Sequence, residues 1–537
     1  MNSQSYNNNN SNSNSNSNHI FVNLPLLLIA TIVRELDSDV ERICFSLTCR
    51  RWFYLREKYI WFTCSYIPKS FKGWLLDPKT NPTFTLNSFR ELLHRGVDAK
   101  PIKSILVCNK DYFKNIKSIS TTTYYDDYIP IEDIENYVIS ESCTDITFIS
   151  HIINQIAIDK ISKSNIKTVV FRTDSFEFGN HQRLPLNIST IILHRSIDES
   201  LLPLNLKKLV LGCSPPPRAI DAAKLPRSLE HLYIEGRHDD PVDVGAFPPN
   251  LKFLHYINYY ESPLNVQLPQ SLTHVSITNI WLPHISNLKS IKRLEIDLVD
   301  DFPILSVDIP SSVTQLIYAT TNIEFFVTPF IIPRNIKYLR LAGQCRYEPN
   351  IFAQFDRLKT LEVISNEKTE LVIGELPESL TTLTLPYQID MPLEQYVKLP
   401  PRLENLYIHG YKGVISYMPT TVKTIELRQN TFKYPVIIPP SVETVYFQYW
   451  NENDTVDIRS DDWPPSLTSM STNDILPFQL PKSITSVNLF KIESSFNFFI
   501  QRLNETTFLV HGARNSNLVF FISNWDTIRI LLPKLNV

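Results

Sequence analysis

From about residue 140 onward the apolar positions fall into one returning phrase: Leu or Ile, Pro, any residue, Ser or Asn, then apolar-x-x-apolar-x-apolar. Its Pro stands at 185, 203, 226, 248, 269, 310, 333, 377, 400, 419, 439, 464 and 481, and the pattern also holds around Cys143, Lys163, Leu288 and Phe355. This predicts about 17 units of about 21 residues over 141–490, a period within the leucine-rich range. In Leu403-Glu404-Asn405-Leu406-Tyr407-Ile408, the residues Leu406 and Ile408 alternate inward while Asn405 and Tyr407 face out, the two-residue period of a half-buried strand. Leu403 enters the core from the turn ahead of it. Pro fixes φ and withholds a donor, so it belongs before the strand and not within it. Ser or Asn two residues later, as at Ser228, Asn250 and Ser379, suits a bond to local backbone in the turn. Such units bury their apolar face only by stacking on neighbours. The expected architecture is therefore an α/β, strongly β-rich solenoid with a curved parallel β-sheet.

The N-terminal part follows other rules. Residues 1–18 form an Asn/Ser-rich tract that cannot bury enough surface to offset its ordering entropy, so disorder is expected. Between 19 and 62 the pattern turns helical. Leu28, Ile32 and Leu36 recur at i, i+4 and i+8, and Pro25 stands near the helix start. Asp37-Ser38-Asp39 offers a break and a cap for a second helix over 40–47, and a third is expected over 49–58. Residues 63–140 read as a linker or capping region with one short helix, marked by a Ser88/Glu91 capping box, an apolar face of Phe89, Leu92 and Leu93, and Gly96 as a stop. Residues 491–537 are left as a C-terminal cap.

Composition narrows the chemistry. A net charge of -3 gives no electrostatic excess for nucleic acid or anionic lipid. Only 11 glycines in 537 residues lower the expectation of a nucleotide-binding loop, which needs close backbone approach. The seven cysteines are scattered and contain no CxxC pair, which reads as free thiols in a reducing compartment. The ten-residue apolar run over 24–33 is too short to span a membrane. None of the common phosphate-binding, zinc-protease, hydrolase or kinase phrases occurs, and no cofactor is implied. His231, His255 and His274 come from neighbouring units but lack the tight spacing of a metal site. The pairs Asp239-Asp240, Asp300-Asp301 and Asp461-Asp462 read as solvated turns. The expectation is a protein without enzymatic activity.

The outward strand positions form two columns. One reads Lys208, His231, Phe253, His274, Arg293, Gln315, Tyr338, Thr360, Thr382, Asn405, Thr424, Thr444; the next reads Val210, Tyr233, His255, Ser276, Glu295, Ile317, Arg340, Glu362, Thr384, Tyr407, Glu426, Tyr446. Tyr and Arg are common hot-spot residues, which makes Tyr233, His255, Arg340, Tyr407 and Tyr446 the candidates for holding a protein target. The mixed sign argues against a nucleic-acid groove.

Both regions resemble known families. The stretch from Leu24-Pro25 through Leu28, Ile32 and Leu36 to Leu47-Thr48-Cys49-Arg50-Arg51-Trp52 and Trp61 resembles the F-box motif, with Thr48 where that family usually has Val. The repeats resemble the FNIP subclass of leucine-rich repeat, whose F-N-x-P-I signature has degenerate counterparts at Tyr260–Leu264, Phe326–Phe330 and Phe432–Val436; Asn430 stands once where leucine-rich repeats bury an Asn. The F-box resemblance implies docking on a Skp-type adaptor of a cullin ubiquitin ligase through Leu24, Pro25, Leu28, Ile32, Leu36, Cys49 and Trp52. The chain would then be a target receptor of the cytoplasm or nucleus, with the chemistry carried by other subunits. The other reading is a non-enzymatic repeat scaffold unconnected to ubiquitination, its N-terminal helices a cap.

Overall fold

The computed structural model describes residues 21–36, 39–62, 86–99, 101–110 and 127–534, the last span without short stretches between strands, the longest being 213–221, 236–245, 258–266, 300–308, 429–437 and 449–462. The 1–18 tract, the repeat-like stretches 260–264 and 432–436, Asn430 and the three Asp pairs lie outside the described residues. The chain divides into two compact units, 1–100 and 101–537.

The first unit carries three short helices, α1 (Leu26–Arg34), α2 (Asp39–Leu47) and α3 (Arg50–Leu55). Pro25 precedes α1, and its carbonyl accepts the N–H groups of Leu28 and Ile29 at 3.0 and 3.1 Å. Ile29 and Val33 are fully buried, so the inward face of α1 lies one residue away from Leu28 and Ile32. Asp39 opens α2 and pairs with Arg42 at 2.7 Å. The same guanidinium reaches the Leu36 carbonyl at 2.9 Å, satisfying backbone left open where α1 ends. The Cys49 sulfur caps α3 by accepting the Trp52 N–H at 3.4 Å. Trp52 stacks on Phe45 with ring centroids 4.4 Å apart. A fourth helix, α4 (Asn87–Ala99), buries Phe89, Leu92, Leu93, Gly96 and Val97. It begins ahead of Ser88 and runs through Gly96, so neither marks an end as the sequence suggested. Val97 extends the apolar stripe past the glycine, and burial of that stripe outweighs the weak helix preference of one Gly.

The second unit is a parallel β-solenoid built on one sheet of 22 strands. Strand β1 (Ser104–Cys108) lies between β2 (Asp127–Pro130) and β3 (Asp145–Phe148), parallel to both. The ladder thus starts at Ser104, inside the 63–140 stretch. The signal there is a continuous run, Ile105 to Cys108, all buried and without the Pro phrase. From β3 each strand pairs in parallel with that of the next unit as far as Ser486–Lys491. Three antiparallel strands, Phe496–Arg502, Phe508–Arg514 and Asn517–Ser523, and the helix Trp525–Lys534 complete it. One buried cluster runs from Ile105 to Ile528.

The proline phrase has a geometric meaning. In all thirteen units the Pro carbonyl accepts the N–H of the residue three positions on, at 3.0–3.3 Å, and the strand begins five residues after the Pro. Lys163, Leu288 and Phe355 share that spacing, whereas Cys143 does not. There the turn acceptor is Ser140, bonded by the Cys143 N–H at 2.9 Å, and Cys143 fills the first core slot. An apolar thiol and a serine beside it blur the phrase by three residues.

The Ser or Asn of the phrase does not bond locally. Ser271 Oγ lies 2.8 and 2.7 Å from the carbonyls of Pro249 and Leu251, and Ser228 Oγ 2.8 and 2.7 Å from those of Leu204 and Leu206. Asn187 Nδ2 donates to the carbonyls of Ile161, Ser164 and Ile166 at 2.8, 3.2 and 3.0 Å. Every such bond reaches the turn of the preceding unit. The reason is steric: the i→i+3 bond already closes the turn, and its backbone leaves the side chain facing the neighbour's open carbonyls. Thr273, Thr314 and Thr381, one residue before their strands, make a second rung to the preceding backbone at 3.1–3.3 Å. Gly343, at φ +94, is required where it stands, because a Cβ would meet the Thr320 carbonyl.

Candidate binding surfaces

In the first unit, α1 presents Leu27, Leu28 and Ile32 to solvent at 78, 49 and 40% exposure. Pro25 is exposed, Leu24 and Leu36 are half-buried, and Tyr54 and Trp61 add exposed aromatic area. Arg34 and Arg42 lie over the Trp61 ring, 5.9 and 5.8 Å from its centroid. Trp52 is buried as a stacking partner and the half-buried Cys49 is engaged as the cap of α3, so both hold the helices together. Of the i, i+4, i+8 row that marked α1 as a helix, Leu28 and Ile32 thus face outward, while Leu36 lies past the helix end and is half-buried.

In the solenoid the two sequence columns are real rows of the sheet. Lys208, His231, Phe253, His274 and Arg293 face one another across successive strands, and Val210, Tyr233, His255, Ser276 and Glu295 do so one pleat further on. The ring of Phe253 is stacked between His231 and His274, 4.2 Å from each. His255 stacks on Tyr233 at 3.8 Å with planes 4° apart. These side chains, with Lys208, Arg293 and Glu295, line an open hollow of about 350 Å³. His231 and His274 have opposite faces of one ring between them, so they do not converge on a point that a single ion could occupy.

Electrostatics favour uncharged rings here. Burial, then Lys208, lowers the pKa of His231; burial, then Arg293, lowers that of His274. At the rim Glu230 accepts from Lys207 and Lys252 at 2.8 and 2.7 Å, which holds its carboxyl down at about 2. Lys208 and Arg293 are exposed, and neither has a carboxylate partner among the described residues.

The five target candidates do not gather at one place. Tyr233 and His255 belong to the hollow; Arg340 pairs with Glu362 at 3.7 Å further along; Tyr407 and Tyr446 flank Glu426 near the C-terminal end. Burial, then Glu426, raises the Tyr407 pKa. Some outward positions are closed off: Ser276, Ile317, Thr384 and Ser471 are buried because longer side chains on both neighbouring strands cover them. Sequence reasoning set Lys208, Phe253 and Arg293 in the right row but did not single them out. The signal available was aromatic and imidazole residues in three consecutive units at one phase.

No described helix is long and apolar enough to cross a membrane. Cys108, Cys143 and Cys345 are buried and Cys44 and Cys49 half-buried, all as free thiols; burial pushes Cys345 up to about 12. No family model and no curated protein matches the chain.

Proposed function

We propose that the chain recruits a protein target to a cullin-type ubiquitin ligase, its N-terminal helices acting as an F-box that docks a Skp-type adaptor and its FNIP-like solenoid holding the target. The observation that supports this reading is the division of labour on α1. Ile29 and Val33 are buried to fasten the helix, while Leu27, Leu28 and Ile32 leave an apolar row uncovered. An uncovered apolar row on a small helical unit is what docking against a partner requires. The receptor itself performs no bond chemistry; it raises the effective concentration of the target beside the ubiquitin-carrying subunits. The test is co-precipitation of the intact protein with adaptor and cullin. Their absence from the captured material, with the solenoid folded, would leave the scaffold reading in its place.

A further inference from the structure

We propose that the hollow between Lys208 and Arg293 is a docking groove for an extended segment of the recruited protein that carries two carboxylates six residues apart, with apolar side chains at the second and fourth positions between them. The inference deepens the receptor reading above and rests on it for the nature of the occupant. Its basis is the order of charge and flat surface along one row: Lys208, His231, Phe253, His274, Arg293. The two cations are exposed and without a carboxylate partner among the described residues, while Glu230 is already occupied by Lys207 and Lys252. Two cations face the single carboxylate of Glu295, which is half-buried in the second row. The site is thus complementary to acidic chain.

Spacing sets the length. Lys208 and Arg293 are four strand steps apart, about 19 Å at roughly 4.8 Å per step. An extended chain advances about 3.3 Å per residue, so six residues cover about 20 Å and return the side chain to the same face. The side chains two and four residues along, also on that face, meet the half-buried His231, Phe253 and His274. Those rings stack face to face across strands, leaving their electropositive edges and the apolar Phe253 toward the groove. Because the segment runs across the strands, it gains no ladder bonds, and recognition falls to side chains.

The test uses the full-length chain and fluorescein-labelled peptides of the pattern Glu-Ser-Leu-Ser-Leu-Ser-Glu, read by fluorescence anisotropy at low ionic strength. Lys208→Gln and Arg293→Gln should each weaken binding about fivefold and the double variant about 20-fold, as expected for exposed ion pairs. Moving the second Glu three positions inward, or replacing both Glu by Gln, should weaken it comparably. Both substitutions are at exposed positions, and a thermal melt of each variant verifies that the fold is kept. Equal binding of the Gln peptide, unchanged affinity of the folded double variant, or no binding of the designed peptide overturns the inference. Adaptor capture is measured on the same preparation. Capture without peptide binding refutes the groove alone, and peptide binding without capture refutes the ligase role while the groove stands.

Discussion

Arg42 and Asp39 form an ion pair at 2.7 Å with side chains only 6 and 2% exposed, at the point where α1 hands over to α2. Such a pair resists removal of one partner, because the other is left charged and buried. Arg42→Ala should cost about 3–5 kcal/mol in the helical unit. Hydrogen exchange is the measurement: peptides covering 26–55 should lose protection while those covering 405–448 keep it. Full retention over 26–55 would contradict the assigned role.

Leu28→Glu probes the outward row of the same helix. Leu28 is 49% exposed, so the substitution should shift stability by no more than about 0.5 kcal/mol. In a desolvated contact the new charge is unpaired and expensive, and adaptor capture should fall at least about tenfold. Comparison with Arg42→Ala separates lost surface from lost fold.

Inside the solenoid, Leu383→Ala and Leu406→Ala remove fully buried side chains and should each cost about 2–5 kcal/mol. Asn405→Ala, next to Leu406 but half-buried and facing out, should cost about 0.5 kcal/mol or less. Thr384 is 8% exposed and belongs between them. Denaturant titration distinguishes the classes; equal losses at Leu406 and Asn405 would put the strand phase in error.

Ser271→Ala leaves the carbonyls of Pro249 and Leu251 without the hydroxyl they share, and should cost about 1–2 kcal/mol. Ser271→Thr keeps the hydroxyl and should recover most of it. A threonine no better than alanine in thermal unfolding would argue against the rung.

Burial lowers the pKa of His511 to about 4, below the roughly 6.5 of an unfolded chain. The unfolded state therefore takes up the proton first as pH falls. Stability from this group is intact above about 6.5, declines between about 6.5 and 4, and levels off below that. His511→Gln should flatten that part of the stability–pH curve relative to the natural chain, measured by urea unfolding across pH 7 to 4. Parallel curves would reject the assignment.

The solenoid was legible because its signal is repeated. Leu, Pro, Ser and the alternating pair recur at one phase, and any single unit would have been ambiguous. What stayed hidden involved contacts between units. Nothing in the spacing of Ser271 shows that its hydroxyl reaches back to Leu251. Nothing in the run at Ile105 announces a strand paired on both sides, with β2 and with β3, because a continuous apolar stretch has no period to read. The α1 row was read correctly as helical spacing, yet periodicity does not say whether a row of Leu faces inward. The burial of Ile29 and Val33 decides that. For the hollow, the row order was visible, but the closeness of three rings is a property of register.

The turn that each Pro carbonyl closes fixes where a strand starts, whereas the number of residues before the next Pro varies from unit to unit. Each unit therefore behaves like one letter in a line of type: its body can widen or narrow without shifting the letters beside it. Length changes between strands leave the written surface intact. Loss of a whole unit deletes one character and moves the rest by about 4.8 Å. A target that reads several characters at once would register the deletion and ignore the change in length.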